Sequence, residues 1–415
     1  MSSSFLSRLS AANWPFSLEW LPPPVYLVGG AVRDALLGRR SQYLDLDFVL
    51  PENAVQTARA IARHYKAGFV LLDLQRQIAR VVFPQATVDF AQQEGSTLET
   101  DLRRRDFTIN AIAYNPHTQE LIDPLQGYTD LQQGLLRMVS ATNLQDDPLR
   151  LLRAYRQAAQ LNFAIEPHTQ SVIRQLAPQL QHVAAERVRV EIGYLLSSDR
   201  GKWLQTAWED RLLADWFPSA TRSHLNLLAA VDWAAATLSH TFPDLVADLS
   251  QVVREPLKIT WLGIAKLACL VSSNPELAEI ELARLTYSRT EIKAVTTALK
   301  LLPQLKQSSI QMSLAEQYFF FNTAKAVFPV VAVLAVAAGV SVDAIAFLIH
   351  RYLDPHDLVA HPTPVVTGKD LMQALKLPSS PVIGELLLQI QLAQIEGKVS
   401  TPAEAIAFAS ELLNV

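Results

Sequence analysis

Short runs with strand-like alternation crowd into one end of this chain, and that asymmetry limits what it can fold into. "VYLVGG", "DLDFVL", "GFVLLD", "QIARVVF" and "ATVDFAQ" all lie between Val25 and Gln92. Each is bounded by Gly, Pro, Asp or Gln, as strands usually are. A helical segment, Asn53 to Tyr65, separates the second run from the third. From about Leu98 the apolar spacing turns helical, with a last extended piece near "ELIDP". After Asp147 almost everything reads as amphipathic helix punctuated by Pro, Asn and Gly. The pattern predicts an α+β head of about 140 residues followed by a long helical body. The expected linkers are "SATNLQDDP" and "LDPHDLVAHPTPVVTG".

Composition narrows the partners. A net charge of −4 does not advertise a nucleic-acid binder, so a basic cleft has to be local. Lys66 is the only lysine in the first 200 residues, and the basic side chains there are otherwise arginines. Arginine suits planar, bidentate recognition of phosphates and base edges. One cysteine excludes a disulfide framework and a cysteine-based zinc site. No signal-peptide pattern opens the chain, and a cytoplasmic protein is expected. The most apolar stretch is "AVFPVVAVLAVAAGVSVDAIAFLI", and its uninterrupted part, Ala326 to Val342, contains a proline and is short for a membrane span. A buried helix or helix pair is expected there, and no membrane partner.

Asp45 and Asp47 pose the chemical question. In a strand, residues i and i+2 share a face, so the two carboxylates project together while Leu46 and Phe48 face the core. Like charges side by side repel unless a cation sits between them. Hard cations such as Mg²⁺ favour one or two carboxylates plus substrate phosphate. Asp89, in "TVDF", lies on another strand and could join them. Upstream, Gly29 and Gly30 follow an apolar strand, where backbone N–H groups can approach a phosphate. A helix starting at Ala31 adds its positive end, and Arg33 adds a guanidinium.

Five motifs in order then resemble one family. "LVGGAVRDALLG…DLDF", "DLRRRDFTINAIAYN", "LIDPLQGYTDLQQGLLRMV", "DDPLRLLRAYRQAAQLNF" and "AERVRVEI" are similar to those of the class II tRNA nucleotidyltransferases and bacterial poly(A) polymerases. They cover roughly residues 25–195. The C-terminal "VVTGKDLMQAL…SPVIGELLLQI" also resembles the family's tail, less specifically. The resemblance implies a polymerase-β-like head over residues 1–139, with a small mixed sheet. An all-helical neck (140–200), body (201–330) and tRNA-binding tail (331–415) would follow. It implies an RNA 3′-hydroxyl attacking the α-phosphate of an NTP under two Mg²⁺ ions. Asp45 and Asp47 would be the metal ligands and Asp89 a further catalytic carboxylate. Arg105 and Asp106 would lie near the ribose, and Asn110, one turn along the same helix, near the triphosphate.

"DDPLRLLRAYRQ" carries the nucleotide reading. Asp147 before Pro148 looks like an N-cap with proline at N1. Arg150, Arg153 and Arg156 in the opening turns oppose the helix macrodipole, and a triphosphate at that end would reverse the sign. Asp147 and Arg150, at i and i+3, lie on neighbouring parts of one face. Cytosine and adenine both show an amino donor beside a bare ring nitrogen. An aspartate can accept from the first and an arginine can donate to the second. Uracil and guanine reverse both contacts and leave buried groups unpaired. The family's Glu-Asp-x-x-Arg stands here as Asp146-Asp147-x-x-Arg150, which keeps the charge.

Two departures refine the resemblance. "SHLNLLAAVDW" lacks the His-Asp doublet of relatives with a phosphohydrolase domain, so no such activity is expected. Between Ala91 and Leu98 stands only "QQEGST", where enzymes completing the whole CCA end have a longer, flexible loop. This resembles the CC-adding branch. The expected substrates are CTP, with ATP as a second possibility, and tRNA held by its acceptor stem, 3′ end and elbow. No DNA partner is expected. The alternatives are a full CCA-adding enzyme, a poly(A) polymerase, and a catalytically inactive RNA-binding protein. The intact Asp-x-Asp argues against the last.

Overall fold

The computed structural model describes residues 7–39, 43–197, 201–253, 259–307 and 312–413. The chain forms two compact units. One comprises Met1–Val183 and Glu209–Leu212, the other Ala184–Trp208 and Leu213–Val415.

In the first unit, β1 (Tyr26–Val28), α1 (Gly30–Leu36), β2 (Leu44–Leu50) and α2 (Ala54–Tyr65) come first. Then follow β3 (Gly68–Asp73), β4 (Ile78–Phe83), β5 (Ala86–Gln92), α3 (Leu98–Leu102), β6 (Ala113–Asn115) and β7 (Glu120–Ile122). The strands form one mixed sheet in the order β3-β4-β5-β2-β1-β6-β7. Only β2 and β5 run parallel in it, among the described residues; the other neighbours are antiparallel. The five strand-like runs and the piece near "ELIDP" are all strands. β6 was not expected, because "AYN" is too short for alternation to show.

The two faces of the sheet differ in kind. Leu46 and Phe48 of β2 and Val88 and Phe90 of β5 are buried on one face. Helix α2 packs on that side, burying Ala54, Ala58, Ile61 and Ala62 at helical spacing. Trp14 meets Phe48 edge-on, with ring centroids 4.9 Å apart, and fixes the N-terminal segment there. The opposite face bears the aspartates. Towards β1 and β6 it closes over Val28, Val49, Leu102, Ala111 and Ala113.

Helix α4 (Gly127–Gln133), strand β8 (Leu135–Leu136), helices α5 (Ala141–Asp146) and α6 (Leu149–Leu161), strand β9 (Ala164–Ile165) and helix α7 (Pro167–Leu176) follow. After Asp147 this unit is helical apart from β9, which pairs in parallel with β8. "SATNLQDDP" is not a linker. Ser140 accepts the N–H of Asn143 and caps α5. Nor is Asp147 the N-cap. It is extended at φ −136° and ψ 91°, as the residue before a proline prefers, and α6 starts after Pro148.

The second unit is built from helices that include Arg222–Thr241, Trp261–Ala268, Arg289–Leu305 and Phe328–Ala337. Every residue from Phe328 to Val336 is buried. The apolar stretch is therefore a core helix, and it ends at Gly339 with φ +96°. Among the described residues, Leu314–Ala337 is the one helical run long and apolar enough to cross a membrane, and two-thirds of its most apolar window is buried inside the protein. "LDPHDLVAHPTPVVTG" is held by Asp357, which accepts from Arg351 at 2.7 Å and from the N–H groups of Val359 and Ala360. Beyond it, Leu371, Leu386, Ile390, Val399 and Ala405 form a separate small core.

Candidate active site

The parallel pairing of β2 and β5 sets Asp45 beside Thr87 and Asp47 beside Asp89. Three carboxylates thus share one face, although nothing in the sequence spacing joins Asp89 to the other two. Each meets a different environment. Asp45 Oδ1 accepts the Thr87 hydroxyl at 2.8 Å. Asp89 receives Arg80 in a fork, Nε at 2.7 Å and Nη2 at 2.8 Å, across the antiparallel β4–β5 register. Asp47 is left with its neighbours' charge. Burial, then the Asp45 and Asp89 carboxylates, push its pKa up to about 6, against a smaller pull from Arg105 and Arg80.

Gly29 makes room for this cluster. Its φ of +72° suits glycine, and a Cβ there would lie 3.1 Å from Asp47 Oδ2. A cleft of about 610 Å³ opens beside it, lined by Asp45, Asp47, Gly30, Arg33 and the N-terminal segment.

The donor set fits a hard divalent cation. Asp45 and Asp47 offer paired oxygens, and burial together with the neighbouring carboxylates raises the Asp47 pKa. Asp89 already holds a cation, Arg80. Among the described residues no group of three or more His, Cys, Asp or Glu is arranged to hold a metal by itself. Two carboxylates completed by substrate phosphate is the arrangement Mg²⁺ commonly takes.

A second polar network lies along α6. Asp106 is buried, and its Oδ1 accepts the Phe107 N–H at 2.8 Å and the Asn110 amide at 2.9 Å. Arg153 pairs with Oδ2 at 3.0 Å. Burial alone would raise this carboxyl; Arg153, Asn110 and the Phe107 N–H outweigh it and hold the pKa below the ordinary aspartate value. Asn110 also donates to Gln157 at 3.0 Å and accepts from Arg33 at 2.9 Å, and Arg33 forks onto Asp34.

Asp106 and Asn110 do not share a helix. Phe107 is extended and bridges to Met138, and a single 3-10 turn, Thr108–Asn110, follows. The two side chains meet nonetheless, because the tight turn brings them back together.

Arg150 donates Nη1 to the carbonyls of Arg104 at 3.0 Å and Asn143 at 2.9 Å. Asn143 in turn donates to the carbonyls of Arg103 and Arg105, both at 2.7 Å. Arg105 pairs with Asp101 at 3.2 Å. Arg105, Asp106, Arg150 and Arg153 line a cavity of about 260 Å³. Asp147 and Arg156 do not line it; Arg156 bonds to Gln160, at 3.0 Å.

Three residues of these networks were missed by the sequence reading. Arg80 carried a signal, a cation in a strand facing an acid in the next, legible only once register is known. Gln157 sits at i+4 from Arg153 and i+7 from Arg150, on the arginine face of α6. Asn143 carried none, since an asparagine in a Ser- and Asp-rich stretch reads as loop.

The short connection from β5 to α3, Gln93 to Thr97, is tied down. The Thr97 side chain caps α3 on the N–H of Thr100, and Glu94 pairs with Arg104. Gly95, at φ +84°, lies so close to Thr100 that a Cβ would fall 2.5 Å from its methyl.

Paired carboxylates on a small mixed sheet, a Gly-Gly turn beside them and an arginine-bearing helix on the same unit are the parts of a nucleotidyl-transfer head. Known families agree. Residues 25–137 match the poly A polymerase head domain, 162–223 the RNA and SrmB-binding site of polymerase A, and 259–409 tRNA nucleotidyltransferase domain 2. The chain is 51% identical over 401 residues, 96% of each chain, to the CC-adding tRNA nucleotidyltransferase of Synechocystis sp.. It is 32% identical to the A-adding tRNA nucleotidyltransferase of Deinococcus radiodurans, over 93% of this chain and 95% of that one. A solved CCA-adding enzyme in complex with ATP superposes with a TM-score of 0.73 at 25% identity, covering 94% of this chain and 91% of the other. The chain belongs to the class II tRNA nucleotidyltransferase and bacterial poly(A) polymerase family and is a nucleotidyltransferase.

Proposed function

We propose that this enzyme adds two cytidines from CTP to the 3′ end of tRNA and then stops. The short, pinned connection between β5 and α3 carries the reading. Adenine is a purine, and its reading edge stands farther from the ribose than cytosine's. Accepting it requires the arginine helix to shift, and a five-residue connection held by Glu94, Thr97 and Gly95 gives little leverage for that. The identity to the Synechocystis CC-adding enzyme, well above that to the A-adding one, supports the same reading.

In the transfer, the RNA 3′-hydroxyl gives up its proton to solvent, its oxygen bonds to the α-phosphorus of CTP, and the bond to the bridging oxygen breaks to release pyrophosphate. Asp45 and Asp47 would hold divalent cations, two Mg²⁺ ions in our reading, which would supply positive charge for the charge developing in the transfer. Asp89, held by Arg80 beside Asp47 in the β2–β5 pairing, is assigned as a further catalytic carboxylate. Gly29 and Gly30 let the backbone approach the triphosphate, and Arg33, Asn110, Arg153 and Arg156 contribute cationic or amide donors to it. Arg105 and Asp106 are assigned to the ribose.

Asp147 and Arg150 are assigned to the base. Arg150 lines the cavity while two carbonyls anchor its Nη1, which fixes the guanidinium plane for a directional contact. The domain limits we assign are head 1–139, neck 140–200, body 201–330 and tail 331–415. The last three would hold the acceptor stem and elbow of tRNA by shape, as is usual for double-stranded RNA.

The test is product sequencing after incubating tRNA lacking CCA with CTP and ATP together. Chains ending in CC are expected. A complete CCA end as the main product would overturn the stop while leaving nucleotidyl transfer intact. Equal extension of an unstructured RNA would favour poly(A) synthesis instead.

A further inference from the structure

The cleft beside Asp45 and Asp47 has a wall that no motif above includes. It is the N-terminal segment, with Arg8 and Asn13 facing the cleft near Arg39. The segment is firmly seated. Leu9 and Trp14 are buried, and Trp14 packs on Phe48, the residue next to Asp47 in β2. The Asn13 amide donates to the Ser7 carbonyl at 2.9 Å and closes the turn between them. Arg8 therefore stands in a fixed relation to the strand that carries the carboxylate pair.

Its guanidinium lies against Gly38, just beyond the end of α1. A Cβ on Gly38 would fall 3.6 Å from Nη1, 3.7 Å from Nη2 and 3.8 Å from Cζ. Both terminal nitrogens thus lie close to the glycine, where a side chain would crowd them. Among the described residues three arginines line the cleft, and two of them have acceptors. Arg33 bonds to Asp34, Asn110 and Gln157, and Arg39 donates to the Gln160 carbonyl at 3.1 Å. Arg8 differs: its Nε is buried and meets no hydrogen-bond acceptor among the described residues. A buried charged donor of this kind is unfavourable unless something supplies oxygen to it. An arginine fork matches phosphate and carboxylate oxygens bidentately, and the substrates of nucleotidyl transfer bring phosphates to this cleft.

We propose that Arg8 is a phosphate-binding residue of the transfer site, positioned by Trp14 and Gly38. The phosphate belongs to the triphosphate tail of the incoming nucleotide or to the last phosphodiester of the RNA. The proposal rests on the nucleotidyl-transfer reading above.

The test uses the full-length enzyme and its Arg8→Ala and Arg8→Lys variants, with steady-state addition of CTP to tRNA lacking CCA. KM is measured separately for CTP and for tRNA, and thermal melting checks the fold. Loss of a charge-assisted contact is worth roughly tenfold or more. A tenfold rise in the KM for CTP, with that for tRNA within twofold, assigns the triphosphate. The converse assigns the RNA phosphate. Arg8→Lys keeps the charge but not the fork and should recover part of the loss. Unchanged KM values in a variant that melts like wild type would overturn the proposal. So would a fall in kcat that simply tracks a lower melting temperature in both variants. Wild-type incorporation in the same assay tests the parent reading separately. If it fails, calorimetric binding of CTP and of pyrophosphate to wild type and Arg8→Ala still decides the role of Arg8.

Discussion

Asp47, half-buried at a cleft, and Asp106, buried, belong to the same unit, and their surroundings treat them in opposite ways. Asp47 sits among carboxylates on a strand, where burial and like charge push its pKa up to about 6. Asp106 sits on an irregular segment between an arginine, an amide and a backbone N–H, which hold its pKa below the usual value. The first keeps like charge beside it that Arg105 and Arg80 offset only in part, and in our reading a cation completes it. The second is completed by the chain itself. Where a protein satisfies a buried carboxylate internally, the group is held ionised and in one orientation before any ligand arrives; where it leaves one unsatisfied beside a cleft, the charge balance is left to a ligand.

The largest expected effect falls on the unsatisfied side. Asp45→Ala or Asp47→Ala should lower CTP incorporation by about 10³-fold or more, since cation stabilisation of the transferring group is worth several kcal/mol. Affinity for tRNA, measured by filter binding, should stay within about twofold. Near-normal turnover of either variant in Mg²⁺ would break the assignment of the pair. Chelation of divalent cations should silence the wild type to the same degree.

Arg150→Ala comes next. It removes both the cavity-facing guanidinium and its anchors on Arg104 and Asn143. Incorporation of UTP relative to CTP, followed on tRNA lacking CCA, should rise by roughly 10²-fold, because base selection rests on leaving the wrong pattern unpaired. Unaltered selectivity would remove Arg150 from the base-reading role.

On the self-completed side, Arg153→Leu should cost roughly 2–3 kcal/mol in urea unfolding. It strands a buried carboxylate, with the loss moderated because Arg153 is itself 37% exposed. The sign of the pH effect follows from the lowered pKa. A carboxyl whose folded pKa lies below its unfolded value contributes stability above the unfolded value and loses it as pH falls through the folded one. Wild type should therefore shed this contribution below about pH 4, and Asp106→Asn should show a flatter acid limb. An identical acid limb would mean that Asp106 is not held as a carboxylate.

The smallest effect is expected for Arg80→Gln, which unties the fork on Asp89. Incorporation should fall by about tenfold or less, the scale of one oriented charge-assisted contact. A loss as deep as that of Asp47→Ala would make the Arg80–Asp89 pair as central as the Asp-x-Asp.

Much of this is legible in the sequence. Period-two alternation alone placed Asp45 and Asp47 on one face and Leu46 and Phe48 on the other, because strand geometry is local. Gly29, Gly30 and Arg33 follow β1 directly, and their nearness to β2 needed only a tight strand–helix–strand turn. The all-apolar Phe328–Val336 could be read as buried, since no polar face was left to expose. What the sequence could not supply were partnerships across the fold. Asp89 joins Asp47 only because β5 runs parallel to β2, and Arg80 reaches Asp89 only through the β4–β5 register. Asp106 and Asn110 looked like one helix, until the Phe107–Met138 bridge held the backbone extended between them. Asn143 clasps two carbonyls on a distant segment, and Gln157 links Asn110 to α6. Alternation and helical spacing report which way a side chain points from its own element. Which carboxylate ends up beside which arginine depends on strand order and register, and those are settled only when the whole sheet closes its core.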